Sequence, residues 1–328
     1  MYNHHIAAFL QDQCPSDARL LIALSGGADS MFLLFSLIEC CKKIPITLEI
    51  AHVDHGWRQE SSLEAEELRL LANRLHIPFH LKTLDPNQLQ GNLEAACREE
   101  RYRFFREICS SRHCFGVLLG HHYNDRVETI LKRLFEGAHW SHLNALQPKI
   151  SIDGLLILRP LLHIKKNTII QELESREIRY FTDMTNFDER FNRSRIRQTL
   201  LPSLSNYFGK EIDGNLVLLG SEMDEITEFF NCRLKQRMDH WISESTGHRL
   251  DLESPHDLQL VELKWLIRKK IEALGLFLSR EIINEGAKAW KEGTKHVQFK
   301  TKSTCLRVDR NRIVISPLKI LNDNRDLC

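Results

Sequence analysis

The chain has 328 residues, 42% of them hydrophobic and 27% charged, with 45 Lys and Arg against 44 Asp and Glu. Such a composition supplies a sizeable core and excludes a disordered chain. The formal net charge of +1 excludes a uniformly basic nucleic-acid binder, so a polyanion would have to be met by a local patch. No apolar run reaches the ~18 residues of a membrane span, and residues 1–10 show no basic segment followed by an apolar one. Neither a membrane location nor a secretory signal is expected. Nine cysteines stand at 14, 40, 41, 97, 109, 114, 232, 305 and 328, with no C-x-x-C pair. An odd number at these spacings fits reduced thiols in a cytoplasm. Cys109 and Cys114 with His113 match no standard zinc spacing.

In chain order, residues 19–24 (RLLIAL) are a short apolar run that ends at Ser25-Gly26-Gly27, and 29–41 read as an apolar helix. A strand over 46–53 and an amphipathic helix over 61–76 follow, then a strand at 79–84, a long helix at 92–112, a strand at 115–120 and a helix at 123–136. This alternation predicts a mostly parallel α/β sheet covered by helices on both faces. Ligands of such sheets bind beyond the carboxyl ends of the strands. That rule singles out Ser25–Ser30, His52–Arg58 and His121–Glu128.

Beyond residue 150 the alternation fades to a short strand at 155–158, a helix at 165–177 and a basic stretch at 190–202. Residues 212–243 read as a long helix or helix pair, followed by helices at 257–274 and 280–292 and strands at 296–300, 304–308 and 312–316. The expected division is a catalytic domain over 1–208, a helical linker over 209–250 and a small α+β domain over 251–328. Residues 260–312 hold 13 Lys and Arg against 6 Asp and Glu, a local excess of +7. That excess is either a solvated face or a phosphate-backbone footprint.

The segment Leu24-Ser25-Gly26-Gly27-Ala28-Asp29-Ser30 leaves an apolar strand and opens a helix. Adjacent glycines permit positive φ and close approach of a ligand, and backbone N–H groups at a helix N-terminus make an anion nest. Ser25 and Ser30 add hydroxyls, and Asp29 calls for a cation, most simply a magnesium ion carried by nucleotide phosphates. The segment is neither a Walker loop nor a dinucleotide fingerprint.

Ser-Gly-Gly-x-Asp-Ser resembles the pyrophosphate loop of the N-type ATP pyrophosphatases, which adenylate a carbonyl oxygen and let a nucleophile displace AMP. Three further segments narrow the resemblance: Ala51 to Arg58, Gly91 to Tyr102, and Leu119 to Thr129. With Arg159-Pro160-Leu161-Leu162 and the Asp183, Asn186, Arg193, Arg197 stretch, they are similar in order and spacing to the tRNA(Ile)-lysidine synthetase family. The match is strong over 19–205 and weaker over 255–316, as in a short form without the extra C-terminal domain of longer members.

The resemblance implies an adenine-nucleotide α-hydrolase-like fold, ATP with magnesium, free L-lysine, and the minor isoleucine tRNA bearing a CAU anticodon; a homodimer is left open. Ser25, Gly26, Gly27, Ala28, Asp29 and Ser30 would hold ATP phosphates, with Asp29 meeting magnesium through ATP, and His52 and Asp54 would shape the adenosine and reaction site. Arg98 and Arg101 would hold phosphate or the target cytidine, and Asp125 would orient the lysine amine, so that Asp29, Asp54, Arg98 and Asp125 form the catalytic set. Arg58, Glu94, His121, His122, Arg193, Arg195 and Arg197 would complete the tRNA and substrate surface. On residues alone, Glu94, Arg98 and Arg101 lie at i, i+4 and i+7 of one helix face, which is also the spacing of an ordinary surface ion pair.

Two departures from the family pattern stand out. Asn124-Asp125-Arg126 replaces paired aspartates followed by Gln, losing a carboxylate and gaining a cation; Thr185-Asn186 and Ser194 replace Ser-Asn and Asn. Other readings are a tRNA-thiolating relative, a carbon–nitrogen ligase acting on a small molecule, and an ATP-sensing RNA-binding protein without catalysis. His52, Asp54, His55, His121 and His122 also suggest a metal-dependent hydrolase, which would leave the Ser25–Ser30 turn unexplained.

Overall fold

The computed structural model describes residues 2–56, 60–88, 91, 93–143, 146–182, 192–244, 247–251, 258–310 and 312–318, without the side chains of 60, 88 and 94. The chain divides into two compact units, Met1–Met223 and Asp224–Cys328.

The first unit follows the predicted alternation: β1 (Arg19–Ala23), α2 (Ala28–Cys41), β2 (Thr47–Asp54), α3 (Glu60–Arg74), β3 (Phe79–Thr83), α4 (Leu93–Arg112), β4 (Gly116–Leu118) and α5 (Tyr123–Phe135). It is preceded by α1 (Tyr2–Gln13) and continued by a hairpin, β5 (Lys149–Ile152) and β6 (Leu155–Leu158), and by α6 (Lys166–Ser175). The six strands run in the order β3-β2-β1-β4-β6-β5, and only the β5–β6 pair is antiparallel.

Period-2 side-chain direction sends each central strand's apolar residues to both faces. Leu20, Ile22, Leu118 and Leu158 pack with α1, α2 and α6 on one face. Leu21, Val117 and Ile157 pack against Tyr102, Phe105 and Ile108 of α4 on the other. The chain steps outward from β1 to β2 to β3, then returns to place β4 on the other side of β1. That reversal opens a crevice beyond the carboxyl ends of β1 and β4, the switch point at which such sheets bind ligands.

After α6 come α7 (Asn192–Arg195), α8 (Leu201–Phe208) and α9 (Asp213–Asp239). The linker expected over 209–250 is therefore helical only to Asp239, because β7 (Ile242–Glu244) and β8 (Gly247–Asp251) already belong to the second unit's sheet. That sheet is antiparallel in the order β7-β8-β11-β10-β9, with β9 (Val297–Lys300), β10 (Thr304–Asp309) and β11 (Arg312–Pro317). Helices α10 (Leu260–Ala273) and α11 (Arg280–Lys291) carry the buried Trp265 and Trp290 of its core. Gly286 lets α11 close on β10: a Cβ there would lie 2.4 Å from Leu306 Cδ2.

Candidate active site

Loop Leu24–Gly27 joins β1 to α2 at the crevice. Gly26 has φ +83, and its carbonyl accepts the Phe181 N–H at 2.9 Å. A Cβ on Gly26 would lie 2.4 Å from the Phe181 ring, so the ring presses on the loop where only glycine fits. Gly27 is the N-cap of α2 in extended geometry, and no side chain caps the helix. The first-turn N–H groups are thus left for an external acceptor, at the positive end of the helix dipole. Ser25 is exposed. Ser30 is buried, and its hydroxyl donates to Gly27 O at 3.0 Å and accepts the Ser25 N–H at 3.2 Å, so it braces the loop.

Asp29 lies in the first turn of α2, about one-third exposed. Its Oδ1 accepts from Lys166 Nζ at 2.7 Å and lies 3.7 Å from His122 Nε2. Gly120, at the end of β4, allows this approach, since a Cβ there would come within 3.1–3.2 Å of the Asp29 and Ser30 backbone. His122 caps α5: its Nδ1 accepts the Asn124 N–H at 3.2 Å, while Asp125 Oδ2 accepts the His122 N–H at 3.0 Å. Burial works to raise the Asp125 carboxyl, but the His122 imidazole, that backbone N–H and the Arg193 guanidinium outweigh it and hold it below its usual value. Asn124 Oδ1 accepts the Lys166 N–H at 3.0 Å, tying the start of α6 to the start of α5.

At the end of β2, His52 is buried and its Nδ1 lies 2.7 Å from Leu24 O. A carbonyl only accepts, so Nδ1 carries the proton; burial keeps this imidazole below its usual pKa, against the pull of the Leu24 carbonyl. Asp54 is also buried, and its Oδ1 accepts the Gly56 N–H at 2.9 Å, closing a turn.

Guanidinium groups gather around His121. The buried Arg159 donates from Nε to His121 Nδ1 at 3.2 Å and from Nη1 to Gln147 O at 2.7 Å. Burial drives the His121 pKa down to about 4; Asp125 opposes this, and the positive charges of Arg159, Arg193 and Arg101 add to it. On α4, Arg98 stacks on the Tyr102 ring at 4.7 Å and Arg101 lies 5.9 Å from it. Such a cluster suits phosphate or a base held between planar cations.

His121 provides a pH test. Folding lowers its pKa from 6.5 to about 4, so between those values the unfolded chain binds more protons and stability falls as pH drops. From pH 7 to pH 5 this one group should remove about 1–2 kcal/mol. His121→Gln should flatten that part of the acid limb in urea titrations at the two pH values; an unchanged slope would contradict the lowered pKa of this imidazole.

Residues 1–204 match the family model of the PP-loop domain. Several relatives are named tRNA(Ile)-lysidine synthase. That of Protochlamydia amoebophila is 40% identical over 99% of this chain and 71% of its own length. That of Chlamydia pneumoniae is 38% identical over 81% and 82%, and that of Chlamydia trachomatis serovar L2 is 35% identical over 90% and 89%. The chain belongs to the tRNA(Ile)-lysidine synthase family of PP-loop proteins. Among solved structures, the U34-tRNA thiolase NcsA from Methanococcus maripaludis with its [4Fe-4S] cluster aligns with TM-score 0.57 and 16% identity, over 68% of this chain and 78% of that one, a likeness of fold.

In this member of the lysidine synthase family the crevice brings together Ser25, Gly26, Gly27, Ala28, Asp29 and Ser30 with His121, His122 and Asp125. His52 is tied to the same loop through Leu24. Other expected residues are placed differently. Arg197 donates from Nε and Nη2 to Glu128 at 2.6 and 3.1 Å, and lies 3.9 Å from Asp125 Oδ1. Glu128 is buried, and a buried carboxylate demands such a counter-ion, so Arg197 first serves the fold. Arg193 and Arg195 are exposed, and Arg195 bonds Asn192 Oδ1. Arg58, Asp183, Thr185 and Asn186 lie outside the described residues, as does the Glu94 side chain.

Both departures at 124 and 126 have structural partners: Asn124 caps α6, and Arg126 Nη2 donates to Ser221 Oγ at 3.0 Å. Sequence reading missed Lys166 and Phe181. Among the described residues no three His, Cys, Asp or Glu side chains converge as a metal set. A magnesium ion held largely by nucleotide phosphates needs only one or two carboxylates, and Asp29, at the mouth of the anion nest, fits that lesser demand. The Cys114 N–H donates to the Cys109 carbonyl at 2.9 Å ahead of β4, at the amino edge of the sheet and away from the crevice.

Proposed function

We propose that the protein ligates free lysine to C2 of the wobble cytidine in the CAU-anticodon isoleucine tRNA, using ATP and forming lysidine, AMP and pyrophosphate. One observation carries the reading: an uncapped helix N-terminus with Asp29 in its first turn, at the switch point of the sheet, next to a strand end ringed by guanidinium groups. The first feature suits ATP phosphates, and the second suits a nucleotide drawn from an RNA loop.

The wobble cytidine leaves its stack, which an unpaired loop allows. Its C2 carbonyl oxygen attacks the α-phosphate, the bond to the β-phosphate breaks, and pyrophosphate leaves with the electron pair. Backbone N–H groups of Gly27 to Ser30 stabilise the charge that grows on the phosphates. Magnesium bound with ATP and met by Asp29 would further neutralise that charge. Arg98 and Arg101 hold the cytidine or its phosphate. His52, tied to Leu24 O, and Asp54, closing the turn to Gly56, shape the adenosine side.

The lysine ε-amine then attacks C2 and AMP departs. Asp125 Oδ1 orients the amine, its other oxygen being engaged by the His122 N–H. The product base pairs with A in place of G, changing both codon reading and aminoacylation identity. The basic stretch at 260–312 grips the tRNA away from the anticodon, through contacts that weaken with salt. No described helix is long and apolar enough to cross a membrane.

Labelled lysine tests the reading. With ATP and magnesium, label should enter an isoleucine tRNA transcript bearing CAU, and should not enter methionine tRNA, which shares the anticodon. Absence of label with active transcript would contradict the ligation; pyrophosphate release without label would point to another nucleophile.

A further inference from the structure

Lys166 is the first residue of α6, where a positive charge is unfavourable to the helix dipole. Two contacts hold it there regardless: its N–H donates to Asn124 Oδ1 at 3.0 Å, and its Nζ donates to Asp29 Oδ1 at 2.7 Å. The two charged side chains are 33% and 32% exposed, so the pair sits at the mouth of the loop and not in the core. A pair one-third exposed in this way adds at most about 1 kcal/mol to stability and is readily exchanged. Asp29 is in the first turn of the uncapped α2, so the Lys166 ammonium stands beside the place where phosphate oxygens meet the α2 N–H groups.

We propose that Lys166 is a catalytic residue that binds the pyrophosphate half of ATP, exchanging the Asp29 carboxylate for the leaving phosphates when nucleotide enters. The inference rests on the adenylation reading above and deepens it. An ammonium on a flexible four-carbon stem carries three donors, so a small swing moves it from a carboxylate to phosphate oxygens without loss of pairing. The exchange also frees the Asp29 oxygen that Lys166 occupies. In the reaction the bond between the α-phosphorus and the bridging oxygen breaks as the cytidine C2 oxygen bonds to phosphorus. The electron pair stays on pyrophosphate, where the charge of Lys166 meets it. Lys166 remains protonated throughout, and no proton is transferred to or from it. Asn124 is the positioning partner, since its amide fixes the backbone from which Lys166 reaches.

Titration calorimetry of inorganic pyrophosphate with magnesium, and separately of AMP, on the full chain tests this without turnover. Lys166→Met should weaken pyrophosphate binding about 10- to 100-fold, the range of a charge-assisted hydrogen bond, and change AMP binding less than about twofold. Lys166→Arg should restore most of the loss. Unchanged pyrophosphate affinity in Lys166→Met, or equal losses for pyrophosphate and AMP, would overturn the assignment. If Lys166→Met does not fold, Lys166→Gln against Lys166→Arg decides by the same ratio. Wild-type protein that binds neither pyrophosphate nor ATP overturns the adenylation reading itself, a result distinct from failure of the lysine assignment alone.

Discussion

Asp29→Ala should lower tRNA-dependent pyrophosphate release about 10³-fold, the scale on which a site loses a group that stabilises transition-state charge, while the protein stays folded. The two halves of this expectation come from different features. Asp29 is one-third exposed and its short contact is with the exchangeable ammonium of Lys166, so stability should change by no more than about 1 kcal/mol. Activity should collapse because the α2 N-terminus supplies donors for phosphate but the loop sequence contains no other carboxylate. Single-turnover pyrophosphate release beside a thermal melt separates the two effects. A folded Asp29→Ala protein that kept more than a tenth of wild-type release would contradict the role given to this carboxylate.

Gly26→Ala is expected to damage the same loop by pure sterics. At φ +83 a side chain is strained by about 1–2 kcal/mol, and the new Cβ would lie 2.4 and 2.6 Å from Phe181 carbons and 3.3 Å from Leu68 Cδ1. The ring cannot yield freely, because the Phe181 N–H is bonded to Gly26 O and the neighbouring Gly27 bridges to the same segment. ATP affinity should fall at least tenfold, equivalent to about 1.4 kcal/mol. Phe181→Ala in the same chain should recover part of the loss, because it removes the ring overlap and leaves the φ strain and the Leu68 contact. Equilibrium ATP binding by the single and double variants measures this; a double variant no better than Gly26→Ala would place the damage elsewhere than at the Phe181 contact.

Much of the site's framework is legible in the amino-acid sequence. Short apolar strands ended by polar turns place Ser25, His52 and His121 at the carboxyl edge, and the observed strand ends agree with that pattern. The glycine pair at the start of a helix is readable as an anion nest. What escapes is the pairing between elements distant in sequence. Lys166 binds a residue 137 positions away, and nothing in a lysine at the start of a helix announces that partner. Phe181 sits in a polar, charged stretch, so its packing on Gly26 leaves no periodic signal. Arg197 is expected on the tRNA surface, and its pairing with Glu128 is not legible because the burial of Glu128 is decided by the packing of α5.

Strands β7 and β8, inside the range expected as a linker, escape for a similar reason. The three residues of β7 are all exposed and β8 fully buries few side chains, so neither shows the alternation that marks a half-buried strand. Helix α1 escapes prediction because it fully buries just Ile6 and Leu10, a single i, i+4 pair. Strand β5, an antiparallel edge with no fully buried side chain, lacks an apolar run as well.

We propose that ATP activates the RNA base before lysine arrives. It is tested most directly with ATP labelled at the α-phosphate, the CAU isoleucine transcript and no lysine. Label should appear on the RNA and be released as AMP with formation of lysidine when lysine is added. Label found on lysine and never on RNA would contradict it, because the amino acid and not the cytidine would then be the activated partner.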